Sequence, residues 1–365
     1  MPPYYPNLLA FRTGASTLFQ NFCGMYELLE SWVTPLLDQS LTLYIFILTA
    51  SILAGFYTLI KGGDWLSDHS SNLACQLGVP PVIVGLTIVS IATSTPELFT
   101  SISALKSESP GLILGNIIGS NIANVGLILG IALLLGQVST HNAVSIGQRY
   151  CLLLVTVSFC LVLFCTNNNE FGFYPGIIFL GFILGYLIVL SFHGLKENKA
   201  KKNIQNFEIT ENSVSSGILF SLVMLLIATL SLWIGADSLV FGSKSLAQLG
   251  GVPEELIGFT LLAIGTSLPE LAASISLVRK KETGMLLGNI VGSNLFNIAL
   301  IGGLAGVMGP VQGSSPHAWI DYLFLLLTTG ILLYWLKGKL MSKKEGIILL
   351  MIYLIASAST WILNS

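Results

Sequence analysis

Charge is what this sequence has least of. Only 9% of its 365 residues are Asp, Glu, Lys or Arg, where a soluble domain averages about 25%. That shortage excludes an ordinary soluble fold. A net charge of −2 offers no basic surface for nucleic acid. Cys23, Cys75, Cys151, Cys160 and Cys165 form no CxxC pair and no metal-ligand spacing, and read as small apolar packing residues. No nucleophile–base pair and no intramembrane His suggest an enzyme, and no cofactor is expected. Short alternating segments of the β-barrel kind are missing too.

Apolar residues fill the space, at 53% of the chain. They cluster into runs long enough to cross a bilayer, which takes about 20 residues of helix. Ten such runs lie near 41–62, 81–105, 111–136, 150–166, 172–193, 214–244, 254–278, 284–308, 318–336 and 345–362. The expectation is an all-α polytopic membrane protein with ten transmembrane helices. Residues 1–40 form an N-terminal extension of unknown role, with no basic start and small-residue cleavage site of a signal peptide. The basic residues set the orientation. Lys61, Arg149, Lys196, Lys199, Lys201, Lys202, Arg279–Lys281, Lys337, Lys339, Lys343 and Lys344 follow odd-numbered runs; only Arg12, Lys106 and Lys244 fall on the other side. The positive-inside rule then puts both termini outside and a Lys-rich loop, 194–213, in the cytoplasm. Short loops and the lack of targeting signals favour a bacterial inner membrane.

The chain repeats itself. Residues 85–130 align without gaps on 258–303, and 23 of the 46 positions are identical. The first copy reads GLTIVSIATSTPELFTSIS and then GLILGNIIGSNIANVGLILG; the second reads GFTLLAIGTSLPELAASIS and then GMLLGNIVGSNLFNIALIGG. Two five-helix repeats follow, 41–193 and 214–365. Five is odd, so the second half enters the membrane from the opposite side, the inverted-repeat architecture of many secondary transporters.

Each copy carries one carboxylate, Glu97 and Glu270, inside a long apolar run. An ionised carboxylate at the bilayer centre costs at least about 2.5 kcal/mol, so it needs a proton, a basic partner or a cation. No basic residue lies mid-span near either one, which favours a bound cation with protons as competitors. Thr93, Ser94 and Ser101 share a helix face with Glu97, and Thr266, Ser267 and Ser274 share one with Glu270. Pro96 and Pro269 each remove an N–H and free carbonyls one turn earlier, around Ser90–Ala92 and Ala263–Gly265. Carboxylates, hydroxyls and carbonyls make an all-oxygen set suited to Ca²⁺ or Na⁺. The next run of each repeat adds Asn116, Ser120 and Asn124, and Asn289, Ser293 and Asn297. Asn116 and Asn289 are as readily explained by hydrogen bonds between helices. Gly115/Gly119 and Gly288/Gly292 are small-xxx-small pairs for close helix packing. Asp64 and Asp237, near the ends of the first and sixth runs, read as capping or anchoring groups.

These motifs resemble the two α-repeats of the cation/calcium antiporter superfamily, and among them the prokaryotic-type sodium/calcium exchangers. The resemblance implies antiport of Ca²⁺ against Na⁺, usually three Na⁺ per Ca²⁺, by alternating access in a monomer, with the bilayer and the two ions as the partners. Carried over by position, the ligands are Thr93, Ser94, Glu97, Ser120 and Asn124, then Thr266, Ser267, Glu270, Ser293 and Asn297, with the carbonyls of Ser90 and Ala263. Two departures stand out: Ala92 replaces the usual Gly, and Asn297 stands where many relatives carry Asp. The second implies transport independent of K⁺. A Ca²⁺/H⁺ antiporter of the same superfamily is the alternative, since carboxylates also exchange protons; a passive cation channel fits less well, because one chain supplies both halves of a closed site.

Overall fold

The computed structural model describes residues 31–35, 40–106, 110–141, 143–166, 170–204, 217–250, 265–312 and 317–364. Most of the N-terminal extension, the end of the Lys-rich loop, and the start of the seventh run with Ala263 lie outside the described residues.

The described chain is a succession of helices: α1 Leu41–Leu77, α2 over 81–106, α3 over 110–135, α4 Ile146–Cys165 and α5 Phe173–Ile204, then α6 Ile218–Leu249, α7 Leu268–Arg279, α8 Thr283–Met308, α9 Ala318–Trp335 and α10 Lys343–Asn364. Seven of them are long and apolar enough to cross a membrane, or eight if the bent α2 counts as one span. The protein is therefore a mostly helical integral membrane protein.

Two expected boundaries move. The first run was expected to end at 62, where charges begin. Instead α1 continues to Leu77 and stops at Gly78, whose φ of 64° only glycine adopts easily. Asp64, Asp68 and His69 thus lie inside a helix, and His69 rests edge-on against Phe220 at 5.6 Å. Likewise α5 runs on to Ile204 through the first part of the Lys-rich loop, a stretch of Lys, Glu and Ala with good helix propensity. The start of α4 is fixed by a capping box, in which Ser145 accepts the Gln148 amide and the Gln148 side chain accepts the Ser145 amide.

The chain forms two compact units: 1–57 with 234–265, and 58–233 with 266–365. In the first, Val33, Tyr44, Leu48 and Phe241 build a small core. Gly55 meets the backbone at Gly235 and Leu239, Gly242 meets Leu48 O, and Ser51 Oγ donates to Ser238 O at 3.0 Å. The second unit holds the first repeat motif and the second from Thr266 on. In it α3 and α8 are the inner helices: 78% and 83% of their apolar stretches are buried, against 33% or less for α4, α5 and α9. The outer helices turn large side chains such as Phe164, Ile178, Leu184 and Leu354 outward, as a lipid-facing surface requires.

Four two-residue strands, absent from the sequence expectation, tie the repeats together. Strand β1 (Val138–Ser139) pairs antiparallel with β4 (Leu340–Met341), and β2 (Glu170–Phe171) with β3 (Val311–Gln312). Each pair joins one strand from each half. The glycine contacts obey the same exchange: Gly130 packs on Gly346 and Leu350, while Gly303 packs on Gly176 and Leu180.

Candidate ion-binding site

Two helix breaks create the site. The first half of α2 ends at Thr93, Ser94 takes φ −84° and ψ 5°, and a second half begins at Thr95, bent by 40°. In the second repeat Ser267 takes φ −89° and ψ 2°, and α7 starts at Leu268. Pro96 and Pro269 lie in the first turn after each break, where the missing N–H costs no hydrogen bond. Glu97 and Glu270 follow them directly, each 1% exposed. The two carboxyl groups lie near enough to interact electrostatically, although neither Glu97 oxygen bonds a described residue.

The hydroxyls expected beside them are buried with them, except Thr266, which is partly exposed. Ser94 Oγ donates to Glu270 Oε1 at 3.3 Å, linking the repeats. Thr93 Oγ1 donates to Val89 O at 3.1 Å and sits 3.3 Å from Asn289 Oδ1. The Ser90 carbonyl, expected to be freed by proline, accepts the Ser94 amide at 2.9 Å and has the Thr93 hydroxyl at 3.5 Å. Its hydroxyl donates to Gly85 O at 2.6 Å, closing a π-helical turn over Gly85–Val89.

Two more π-helical stretches, Asn124–Leu129 and Phe296–Gly302, occupy matching places in α3 and α8. Such turns are frequent at functional sites. They hold Asn124 and Asn297, both fully buried. Asn124 Nδ2 donates to Asn294 Oδ1 at 3.0 Å. Ser120 Oγ donates to Asn116 Oδ1 at 3.4 Å, and Ser293 Oγ lies 3.5 Å from Asn289 Oδ1.

The repeats are alike in sequence but unlike in bonding. Asn116 donates to Glu97 O at 3.1 Å and Ser101 Oγ at 3.0 Å, so it ties one helix to the next. In the second repeat the matching groups, Asn289 Nδ2 and Ser274 Oγ, meet no partner among the described residues. Several other buried atoms also lack a partner there: both Glu97 oxygens, Glu270 Oε2, Ser267 Oγ, Asn124 Oδ1 and both amide atoms of Asn297. Most are oxygens. Buried polar atoms are seldom left this way, and carboxylate, hydroxyl and amide oxygens together suit a hard cation.

The glycine pairs divide. Gly288 and Gly292 abut Val82, Gly85 and Leu86 of α2 so closely that an added Cβ would strike backbone oxygens. Gly115 and Gly119 meet no described atom within 4 Å; the segment that corresponds to the first half of α2 lies outside the described residues. Asp64 acts as an anchor, as expected: it accepts Ser276 Oγ at 2.7 Å, its carbonyl takes Lys280 Nζ at 2.8 Å, and Lys280 pairs with Asp68 at 2.7 Å. Sequence reasoning passed over Asn121 and Asn294, although they are an identical pair between the repeats.

Comparison with known proteins identifies the family. The family described as sodium/calcium exchanger protein matches residues 47–192 and 220–361. The sodium/calcium exchanger MaX1 of Methanosarcina acetivorans is 32% identical, over 83% of this chain and 95% of its own. The inner membrane protein YrbG of Escherichia coli is also 32% identical, over 82% and 93%. A solved structure of the sodium-calcium exchanger NCX_Mj, soaked with Na⁺ and Sr²⁺, superposes with a TM-score of 0.74 at 29% identity, covering 86% of this chain and 99% of that one. The chain belongs to the sodium/calcium exchanger family.

Proposed function

We propose that this protein exchanges Ca²⁺ for Na⁺ by alternating access, with ions held between the repeats by Glu97 and Glu270. Thr93, Ser94, Ser120 and Asn124, together with Thr266, Ser267, Ser293 and Asn297, supply further oxygens, and the carbonyls of Ser90 and Ala263 complete the set. One observation carries the reading. Glu97 and Glu270 are buried near each other, with Ser94 of the first repeat bonded to Glu270 of the second, and no described Lys, Arg or His forms an ion pair with either. Two unpaired carboxylates in a membrane interior repel each other and are costly to ionise. A Ca²⁺ ion answers both problems, and several Na⁺ ions spread over the hydroxyls and amides do the same. The chain then spans the membrane ten times in two inverted halves, as a monomer with both termini outside, in an inner membrane like that named for YrbG.

The test is flux in liposomes loaded with Na⁺ and diluted into Na⁺-free buffer, followed by ⁴⁵Ca²⁺ entry. Uptake is expected to need the outward Na⁺ gradient. Even outer-shell changes cost a metal site about 10–100-fold, so Glu97→Gln and Glu270→Gln, which neutralise ligands, are each expected to lose at least about 100-fold. Uptake driven by a pH gradient alone would replace Na⁺ by H⁺ as the coupling ion. Native rates in both variants would place the site elsewhere.

A further inference from the structure

We propose that Asn294 is a positioning residue: it fixes which amide atom of Asn124, in the other repeat, is turned toward the transported cation, and Asn121 is its counterpart by repeat. The inference rests on the ion site proposed above and adds two residues to it.

An asparagine side chain is a ligand only if its oxygen, and not its NH₂ group, faces the ion. The two ends are nearly the same size, so packing does not choose between them; hydrogen bonds do. In the described site a directional chain makes that choice. It starts at a group that can only accept, the backbone carbonyl of Asn121. Asn294 Nδ2 donates to it at 3.5 Å. That turns Asn294 Oδ1 the other way, where it accepts Asn124 Nδ2 at 3.0 Å. Asn124 has then used its nitrogen, and its Oδ1 is left buried without a partner among the described residues. The oxygen is thus held ready for a cation by a residue of the opposite repeat.

The mirror-related chain is half made. Asn121 Nδ2 donates to Ile117 O at 2.6 Å, again a group that can only accept, so its Oδ1 is committed to acceptance. That Oδ1 has no donor, and Asn297, which corresponds to Asn124, has neither amide atom bonded among the described residues. All four asparagines are 1% exposed or less. Among the described residues one ligand amide is therefore oriented while its counterpart is unbonded, and Asn121, which corresponds to Asn294, keeps an unused acceptor.

The test is ⁴⁵Ca²⁺ exchange kinetics on the full chain in liposomes. Asn294→Leu removes the acceptor, and the apparent KM for Ca²⁺ should rise about tenfold or more with a much smaller change in maximal rate. The decisive arm is Asn124→Asp. A carboxylate presents oxygen on either side and needs no orientation, so it should restore Ca²⁺ affinity in the Asn294→Leu background. In the native background it places two acceptors face to face and should bring no such gain. A purely structural role for Asn294 gives no rescue. Variants are first checked for a single gel-filtration peak; if Leu fails to fold, Asn294→Ala is read in the same way. An unchanged KM in the position-294 variant, or equal effects of Asn124→Asp in both backgrounds, overturns the inference and leaves the ion site standing. Native exchange in Glu97→Gln and Glu270→Gln would instead remove the site itself, and this inference with it.

Discussion

At the scale of single residues, the site's charge is set by which positions are carboxylates. Glu97 and Glu270 are the two that face each other, and Asn297 keeps the third candidate neutral. A site of −2 balances one Ca²⁺ without help from another cation. Na⁺-driven Ca²⁺ flux is therefore expected to be the same with and without K⁺, and the Asn297→Asp variant, with a surplus negative charge, is expected to gain stimulation by K⁺. An absolute K⁺ requirement of the native chain, measured by the same ⁴⁵Ca²⁺ assay, would contradict this. The carboxylates were legible in the sequence because a charge in an apolar run has few explanations. The hydroxyls were legible from helical spacing. Asn121 and Asn294 were not, since an asparagine in a membrane helix looks the same whether it binds an ion, holds a neighbour or only packs. Hydrogen-bond direction distinguishes these roles, and direction is a property of the folded chain.

At the scale of elements, helix identity was legible and helix ends were less so. Apolar runs locate α3, α8 and α9 to within a few residues. The end of α1 was misplaced because Lys61 and Asp64 resemble a boundary, yet a helix ends where the backbone turns, at Gly78. The four short strands left no sequence signal, as two residues are too few for an alternating pattern. Glycine spacing did carry information. Gly288 and Gly292 let α8 touch the backbone of α2, which brings Asn289 to Thr93 and Ser90. Overpacking a tight contact costs about 1–3 kcal/mol. Gly288→Leu should therefore lower the thermal midpoint of the detergent-solubilised protein and reduce exchange. Gly181→Leu on α5, where an added Cβ meets no described atom within 4 Å, should leave both near native values. Equal behaviour of the two variants would mean that the α2–α8 approach does not hold the site together.

At the scale of the whole molecule, duplication was the clearest message of the sequence. Its physical consequence is that two halves with matching motifs contribute one carboxylate each to the proposed site. The broken symmetry of the bonding was illegible, because identical motifs predict identical bonds. Among the described residues, Asn116 is engaged where Asn289 Nδ2 is not, and Asn124 is oriented where Asn297 is unbonded. Two related halves in unequal states suit the alternating-access cycle proposed above, since exchanging their roles would yield the opposite-facing state at similar energy. The charge ledger then gives a whole-molecule prediction. A site of −2 carrying one Ca²⁺ crosses neutral; the same site carrying three Na⁺ crosses with +1. With the three Na⁺ per Ca²⁺ that the family resemblance implies, one cycle moves one net charge, and one charge across 100 mV is worth about 2.3 kcal/mol, or about a 50-fold change in the equilibrium Ca²⁺ ratio. In Na⁺-loaded liposomes a valinomycin-clamped K⁺ potential, positive inside, should therefore accelerate Ca²⁺ entry, and a potential of the opposite sign should slow it. Flux indifferent to the clamp would mean two Na⁺ per Ca²⁺, with the remaining hydroxyl and amide oxygens serving as framework.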